Sequence, residues 1–305
     1  MPFLAFRAHV VSTQRISPSF QRIRLGGLED MGPAGPTRDL RIKLIFPGSQ
    51  GLPALPEGDA NWFDHWHSLD PAARGPMRTY SVRNHVGSEI DVDFVLHTAP
   101  GATGPACAWA QAARPGDEIL VIAPPLSDAS GDGIEFSPGS ASQIHLFGDE
   151  TALPAIARII DEWPSTPVGL TGTAHIEVPY AQDQQILAAP NGVDVRYYAR
   201  GTRPHGEALL TAAAQLLKTE VPEYSPTGMS PEETVWETPV FSASGEPLDA
   251  SSDAHTASPA PDAYFWIAGE STLVTTMRRM LVKQVGVPRE QVSFMGYWKR
   301  GRAEN

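Results

Sequence analysis

The hydrophobic pattern of this chain changes near residue 125, and that change limits the possible folds more than any other feature. Before it, short apolar runs are separated by Pro, Gly and Asn, and the apolar residues of Glu89–His97 fall at every second position. A period of two predicts strands with one buried face. The predicted strands are Phe3–Ser12, Phe20–Gly26, Leu40–Phe46, Met77–Val82, Glu89–His97 and Glu118–Ala123. We expect these strands to form a small antiparallel barrel, with one short helix at Pro105–Ala113.

After residue 143 the pattern alternates between strand and helix. The predicted strands are Gln143–Phe147, Pro167–Thr173, Val193–Tyr198, Tyr264–Ala268 and Gln291–Tyr297, and the predicted helices are Ala152–Glu162, Gly206–Lys218 and Ser271–Val285. Strands that alternate with helices form a parallel sheet covered on both faces. The predicted fold class is therefore a β-barrel followed by an α/β domain with a parallel sheet.

Composition predicts the domain boundaries. A Gly-, Ser- and Asp-rich stretch at 128–142 is typical of a linker, between a first domain at 1–127 and a second at 143–305. Within the second domain, residues 220–261 include seven prolines, seven serines, eight acidic residues and no Lys or Arg. Such a segment buries too little apolar surface to offset its ordering entropy, which predicts a solvated insertion. The alternative is a lid or docking loop around Trp236 and Phe241.

Charge and cysteine content exclude several classes of protein. The 305 residues include 35 acidic and 23 basic ones, for a net charge of −12. Nucleic acids and anionic membranes select for a basic protein face, so we expect neither as a partner. The single cysteine, Cys107, excludes an internal disulfide and a cysteine-ligated iron–sulfur cluster. No apolar run reaches about 18 residues and no signal peptide is evident, which predicts a soluble cytoplasmic protein without integral membrane association.

Common ligand-binding motifs are missing from the sequence. It has no GxGxxG, Walker A, HExxH or GxSxG motif, which removes the commonest dinucleotide, phosphate, zinc and serine-hydrolase signatures. His65 and His67 form a possible metal pair, but no third ligand is near them in sequence. We therefore predict no protein metal site, and expect any redox chemistry to depend on a bound organic cofactor.

A short polar motif, Arg78-Thr-Tyr-Ser81, lies on a predicted barrel strand. Arg78 and Tyr80 are two residues apart, so their side chains lie on the same face of that strand. A guanidinium group suits a diphosphate, and a tyrosine ring can stack on a flat heterocycle. The hydroxyl of Ser81 can hydrogen-bond a ring nitrogen. The alternative is a surface arginine beside a core tyrosine.

Two glycine-bearing turns precede predicted helices. Gly104 stands before the helix at Pro105–Ala113, and the free amides at a helix start can bind an anion. Gly148 begins a turn from a strand to a helix, which is where open α/β sheets bind ligands. In that turn, Thr151 also fits the simpler role of a helix N-cap.

Together these segments resemble the siderophore-interacting proteins, which are flavin-dependent ferric-siderophore reductases within the ferredoxin–NADP reductase-like superfamily. The resemblance spans nearly the whole chain apart from Glu220–Pro261, which departs from the family pattern. The matching segments, in the family's order, are Arg78–Arg83, Asp93–His97, Gly104–Ala110, Gly148–Ile156, Trp266–Glu270 and Tyr297–Gly301. The resemblance implies an antiparallel FAD-binding barrel followed by a nicotinamide-binding α/β domain.

The resemblance also implies roles for individual residues. Arg78 would contact a phosphate of FAD, Tyr80 would flank the isoalloxazine ring, and Ser81 would lie near its N5 atom. The other residues implied in FAD or nicotinamide binding are Thr79, Val95, His97, Gly104, Ala106, Trp109, Asp149, Glu150, Thr151, Gly269 and Glu270. The alternative for His97 is a capped imidazole at a strand end, and for Trp109 it is packing of the helix on the barrel.

A basic cluster of Lys299, Arg300 and Arg302 stands near the end of an otherwise acidic chain. Local positive charge can attract an anionic ferric chelate, and the resemblance implies this role for Lys299 in particular. The predicted catalytic residues are Tyr80, Ser81 and Lys299. The alternative for the cluster is a solvated tail.

The expected function is reduction of ferric siderophores by NADPH or NADH through bound FAD, with release of ferrous iron. Siderophore oxygens prefer the harder ferric ion, so reduction weakens the complex. Arg200 and Arg203 follow the strand that ends at Tyr198, where they can hold a 2′-phosphate and favour NADPH. The alternatives are a general flavin or ferric reductase, a ferredoxin-fed reductase, and a siderophore-binding module without reductase activity.

Overall fold

The structure is a computed structural model, and it describes residues 3–96, 104–164, 169–224, 236–237 and 260–300. These residues fall into two compact units, the first built mainly from residues up to Ile134 and the second mainly from residues after it. The domain bounds and linker expected from the sequence stay predictions. Within the described ranges, no helix combines the length and the apolar character needed to span a membrane.

The first unit is built on a seven-stranded antiparallel sheet. Its strands are β1 (Leu4–Ser17), β2 (Phe20–Gly26), β3 (Arg41–Ile45), β4 (Met77–Ser81), β5 (Asn84–Val86), β6 (Glu89–Val95) and β7 (Glu118–Ala123). Their order across the sheet is β4-β3-β7-β1-β2-β6-β5. The strand β5 has no counterpart among the predicted strands, because three residues are too few to show a period.

Three helices belong to this part of the chain: α1 (Trp62–Ser68), α2 (Pro71–Arg74) and α3 (Pro105–Ala112). The helix α3 agrees with the predicted helix at Pro105–Ala113. No element was expected where α1 and α2 form, since neither is long enough to show a helical period. The start of α2 does carry a local signal, because the Asp70 carboxylate accepts a hydrogen bond from the Ala72 N–H at 2.8 Å.

Aromatic rings bring the two ends of this sheet together. Tyr80 on β4 and Phe94 on β6 have ring centroids 4.5 Å apart, although four strands separate β4 from β6 in the sheet order. Phe46, which follows β3, lies 6.3 Å from Phe94. The sheet therefore curls around a core that includes the fully buried Ile23 and Val92. This architecture confirms the predicted antiparallel barrel.

Two buried carboxylates link β2 to β6. Arg22 lies opposite Asp93 and Arg24 lies opposite Asp91 in the strand register. Each guanidinium group donates two hydrogen bonds to its carboxylate, at 2.6 and 2.8 Å for the Arg22 pair and at 2.8 and 3.0 Å for the Arg24 pair. Asp91 and Asp93 are buried on the strand face that the sequence pattern predicts to be polar. Paired arginines on the neighbouring strand explain how that face can exclude water.

We predict that Asp93→Ala lowers the free energy of unfolding by about 2 kcal/mol, because Arg22 loses its carboxylate partner in a partly buried site. Urea denaturation followed by circular dichroism measures this loss. The matched control is Glu89→Ala. The Glu89 side chain is more exposed than that of Asp93, and its Oε2 lies 3.7 Å from Arg24 Nε, which is too far for a hydrogen bond. Its loss should stay below about 0.5 kcal/mol. Equal losses for the two variants would contradict the importance of the buried pair.

The second unit is built on a six-stranded sheet. Its strands are β8 (Gln143–Gly148), β9 (Thr171–Val178), β10 (Val193–Ala199), β11 (Trp236–Glu237), β12 (Ala263–Glu270) and β13 (Val292–Trp298). Their order is β10-β9-β8-β12-β13-β11, with parallel pairing throughout except between β13 and β11. The helices in this part of the chain are α4 (Leu153–Asp161), α5 (Glu207–Leu217) and α6 (Ser271–Arg278), and a π-helical segment, Arg279–Val285, continues α6. The parallel sheet confirms the predicted α/β class.

The second predicted strand of this unit, Pro167–Thr173, has the wrong bounds. The observed strand β9 continues to Val178. The sequence pattern is misleading here because His175 and Glu177 are polar yet buried within the strand. Most of the predicted acidic insertion, including Phe241, lies outside the described residues. Its described part includes β11, which pairs with β13 at the sheet edge.

A hydrogen-bonded chain of polar side chains runs across β8, β9 and β10. The Thr173 hydroxyl lies 2.8 Å from His145 Nδ1 and 3.2 Å from His175 Nε2. His175 Nδ1 lies 2.9 Å from the Tyr198 hydroxyl, and its ring stacks on Phe147 with centroids 4.6 Å apart. Burial lowers the pKa of both histidines from 6.5 to about 4. The network is therefore built from neutral imidazoles.

These two histidines should make the protein less stable in mild acid. An unfolded histidine takes up a proton near pH 6.5, whereas the folded one resists until about pH 4. The free energy of unfolding should therefore fall as the pH is lowered through this window, by about 3 kcal/mol per histidine. Urea midpoints measured across the window should fall less steeply for His145→Gln/His175→Gln. Equal slopes for variant and wild type would contradict this prediction.

Candidate functional site

In the first unit, the motif strand β4 places an aromatic side chain at the border of the core. Tyr80 is half-buried and packs edge-on against Phe46 at 6.5 Å. Trp109 on α3 is also half-buried and packs against the same Phe46 at 5.3 Å and against Phe94 at 5.8 Å. The fold thus brings Tyr80 and Trp109 to one aromatic cluster. Each ring contributes to core packing and also keeps part of its surface accessible.

The start of α3 lies shortly before Trp109 in the sequence. Gly104 is the N-cap residue in an extended conformation, and open space surrounds the position where a Cβ would stand. The first amides of a helix have no acceptor within it, so the N–H groups of Ala106 and Cys107 have no partner in α3 itself. Val95 ends β6 and is half-buried. The predicted site residue His97 lies outside the described residues.

Arg78 lies in the wall of an open cavity of about 530 Å³. Trp66 and Arg74 line the same cavity, together with the backbone of Gly48 and Gly75. The Arg74 guanidinium lies 5.1 Å from the Trp66 ring, and its Nη2 donates to the backbone carbonyls of His67 at 2.6 Å and Leu69 at 3.1 Å. Two arginines and an aromatic ring are a chemical match for the diphosphate and base of a nucleotide. The remaining motif residues are Thr79, which is exposed, and Ser81, which is buried.

The sequence analysis did not identify Trp66 and Arg74 as residues that line the same cavity as Arg78. The available signal was the concentration of aromatic residues in α1 followed by an arginine, but it falls in a stretch without regular periodicity. The neighbouring histidines have protein partners. His65 Nδ1 lies 2.5 Å from Asp59 Oδ2, and the His67 ring stacks on Phe63 at 6.0 Å.

In the second unit, the predicted site residues meet at the carboxyl ends of the parallel strands. Asp149 follows β8, while Gly269 and Glu270 end β12. Arg200 follows β10, and Lys299 follows β13. Because parallel strands end at one edge of a sheet, residues far apart in sequence come together here.

Asp149 is fully buried and accepts hydrogen bonds at both carboxylate oxygens. Its Oδ1 accepts from the Thr151 N–H at 2.9 Å and from the Thr151 hydroxyl at 2.6 Å. Its Oδ2 accepts from the N–H of Glu270 and the indole N–H of Trp298, both at 2.9 Å, and lies 3.1 Å from His205 Nε2. Burial by itself would raise the pKa of Asp149, but these donors and the charge of His205 hold it well below its usual range.

Arg200 is enclosed by two carboxylates. Its Nε donates to Glu177 at 2.6 Å, and its terminal nitrogens donate to both oxygens of Glu150. Burial and the neighbouring charge of Asp149 raise the pKa of Glu150, and Arg200 opposes that rise. Arg203 differs from Arg200, because it is exposed and its guanidinium donates to the backbone carbonyl of Ala199 at 2.5 Å. Binding of a 2′-phosphate by either arginine stays a prediction.

Glu270 caps α6. Its carboxylate accepts from the N–H groups of Thr272 at 2.7 Å and Leu273 at 3.1 Å. Gly269 before it has φ +140°, and a Cβ there would lie 2.6 Å from Asp149 Oδ2. The close approach of the carboxylate therefore requires a glycine at 269.

The basic residues predicted to attract a substrate follow β13. Lys299 is half-buried and Arg300 is exposed, and the Arg300 N–H donates to Glu270 Oε1 at 3.3 Å. The third predicted member, Arg302, lies outside the described residues. Contact of these side chains with a ferric chelate stays a prediction.

Asp149, Glu150 and His205 bring three possible metal-ligating atoms within 4.8 Å of one another. No metal was expected from the sequence, and this group was not anticipated because His205 is distant from the other two. The carboxylates already accept hydrogen bonds from Thr151, Trp298 and Arg200. These donors satisfy the carboxylates without a cation, so we assign no metal to the group.

Two family models match the chain. Residues 9–128 match the Siderophore-interacting FAD-binding domain, and residues 141–301 match the Siderophore-interacting protein model. Ferric vibriobactin reductase ViuB of Vibrio cholerae is 25% identical over 96% of this chain and 89% of its own length. The NADPH-dependent ferric-chelate reductase of Escherichia coli is 26% identical over 70% of this chain and 77% of its own.

Solved structures agree with this assignment. The crystal structure of a siderophore utilization protein from T. fusca has a TM-score of 0.68 and 26% identity, and the match covers 99% of this chain and 95% of that one. Ferredoxin reductase structures at lower identity share the fold, with a TM-score of 0.57 for the enzyme in carbazole 1,9a-dioxygenase. The chain belongs to the siderophore-interacting protein family, and its first unit contains the FAD-binding domain of that family.

Proposed function

We propose that this protein reduces ferric siderophores with electrons from NADPH or NADH through bound FAD. The observation that carries the proposal is the accessible aromatic cluster of Tyr80 and Trp109 within the region that matches a siderophore-interacting FAD-binding domain. The full-length relative named a ferric vibriobactin reductase supports the same substrate class.

The first unit offers side chains suited to FAD. Arg78 and Arg74 would hold the diphosphate, since both line one cavity. Tyr80 and Trp109 would flank the ring system, with Ser81 beside it. The amides at the start of α3 would supply further donors. When bound, FAD links a two-electron hydride donor to a one-electron acceptor, which ferric iron requires.

On the donor side, we favour NADPH over NADH. Arg203 is the exposed arginine after β10, and it forms no described bond to a carboxylate. It can therefore recognise a 2′-phosphate, whereas Arg200 neutralises Glu150 and Glu177. The relative named NADPH-dependent ferric-chelate reductase agrees with this preference. A reduced ferredoxin is the alternative donor.

On the substrate side, Lys299 and Arg300 would attract an anionic ferric chelate to the end of β13. The protein does not have to coordinate iron, because the chelate already satisfies the ferric ion. Reduction weakens the hard oxygen ligation and allows ferrous iron to leave. We propose that this release occurs in the cytoplasm, as the sequence predicts. The alternative functions are a general ferric reductase and a siderophore carrier without reductase activity, and the experiments below distinguish these from the proposed function.

The purified protein should carry FAD and show its absorbance bands. Under anaerobic conditions, NADPH should reduce the flavin and bleach these bands. A ferric siderophore should then restore them, while the absorbance of a ferrous-iron chelator complex increases. Tyr80→Ala should weaken FAD binding about tenfold, because one face of the ring loses its aromatic partner. Fluorescence titration with FAD measures this change.

The matched control for Tyr80→Ala is Tyr180→Ala, since Tyr180 is exposed and belongs to the second unit. Its FAD affinity should equal that of wild type. A protein that cannot be reconstituted with FAD would overturn the proposal. A protein that binds FAD and ferric siderophore but transfers no electrons would instead be a carrier.

Arg203→Ala should raise the KM for NADPH about tenfold and leave the KM for NADH unchanged, because only NADPH has a 2′-phosphate. The matched control is Arg196→Ala, an exposed arginine of β10 that pairs with Asp194. It should change neither KM. Equal losses with both nucleotides for Arg203→Ala would show that this arginine does not select the phosphate.

A further inference from the structure

The buried carboxylate of Asp149 does not fit a direct role in ligand binding. Its side chain has no exposed surface, and protein donors already satisfy both oxygens. A ligand could reach it only by displacing one of these donors, at the cost of an unpaired buried group. Any effect of Asp149 on the reaction must therefore pass through the groups that it holds.

One of those groups is the indole of Trp298, the last residue of β13. Its N–H donates to Asp149 Oδ2 at 2.9 Å, and its ring packs edge-on against His205 at 5.4 Å. The donor and the acceptor are 149 residues apart in the chain. The bond therefore fixes the end of β13 relative to the turn after β8.

Two further hydrogen bonds hold the backbone that follows the indole. The Ser271 hydroxyl donates to the Trp298 carbonyl at 3.0 Å, and the Arg300 N–H donates to Glu270 Oε1 at 3.3 Å. Glu270 is tied to Asp149 in turn, because its own N–H donates to Asp149 Oδ2 at 2.9 Å. Three hydrogen bonds thus hold the segment from Trp298 to Arg300, at the indole, at the Trp298 carbonyl and at the Arg300 N–H. The first depends on Asp149 directly, and the third depends on it through Glu270.

We propose that Asp149 is a positioning residue that, through the Trp298 indole, orients Lys299 and Arg300 for an anionic ferric chelate. The inference rests on the proposed function, which gives the two basic residues their role. It adds that the carboxylate after β8 determines how well the enzyme distinguishes charged from neutral chelates. A basic pair in a fixed position attracts an anion more strongly than the same charges spread over many conformations.

The test compares two ferric chelates that differ in charge, ferric tris-catecholate, which is anionic, and ferric tris-acetohydroxamate, which is neutral. Trp298→Phe removes the indole N–H and keeps an aromatic ring. It should raise the KM for the catecholate complex about fivefold, which corresponds to one lost hydrogen bond. The kcat with either chelate and the KM for the neutral complex should stay within about twofold of wild type, a range that small packing changes can produce.

The matched control is Trp163→Phe, because the buried indole nitrogen of Trp163 has no hydrogen-bond partner among the described residues. This variant changes the same atoms without breaking a bond, so its KM values should equal those of wild type. Equal KM changes for both chelates in Trp298→Phe would assign the indole a structural role only. A KM for the catecholate complex unchanged by Trp298→Phe would overturn the inference directly.

A double-mutant cycle connects the effect to Asp149. Asp149→Asn should raise the KM for the catecholate complex, and adding Trp298→Phe should cause no further rise, since both changes break one pathway. Additive effects would contradict the pathway. Where Asp149→Asn does not fold, the chelate comparison with Trp298→Phe still decides the proposal. A wild-type protein that reduces neither chelate would refute the proposed function, whereas reduction by wild type with a silent Trp298→Phe would refute this inference alone.

Discussion

A carboxylate shielded from water holds the second unit together at the edge where its strands end. Asp149 accepts bonds from the end of β12, from the end of β13 and from His205 before α5. Burying an ionised group is costly unless its oxygens are fully hydrogen-bonded, and here five donor groups meet that requirement. The turn after β8, the ends of β12 and β13 and the segment before α5 are therefore held by one side chain.

The first unit is held together by aromatic packing. Its curled sheet closes through contacts among Tyr80, Phe94 and Phe46, and Trp109 joins the same cluster. Phe46 and Phe94 are fully buried in the core, whereas Tyr80 and Trp109 keep part of their surface accessible. The packing role of Tyr80 is therefore observed, and its predicted role beside a flavin ring is compatible with that packing because part of the ring stays accessible.

Much of this architecture is visible in the sequence, because periodicity is a local property. The change from period two to alternating strands and helices predicts both sheets, and α3 follows from its proline start. Long-range pairing is not local. Asp91 and Asp93 lie on the polar face of an alternating strand, and Arg22 and Arg24 on another strand make their burial possible. The partners of Asp149 could not be predicted for the same reason, since no residue near it in the sequence indicates a hydrogen bond to Trp298.

In the proposed reaction, electrons from the nicotinamide reach the ferric siderophore through one FAD bound to this chain. The direct measurement is an anaerobic titration of the protein, reduced with one equivalent of NADPH, with a ferric siderophore and a ferrous-iron trap. About two ferrous ions should form per FAD, in step with recovery of the oxidised flavin absorbance. Ferrous iron that forms only after free flavin is added, while the bound flavin stays reduced, would contradict this electron route.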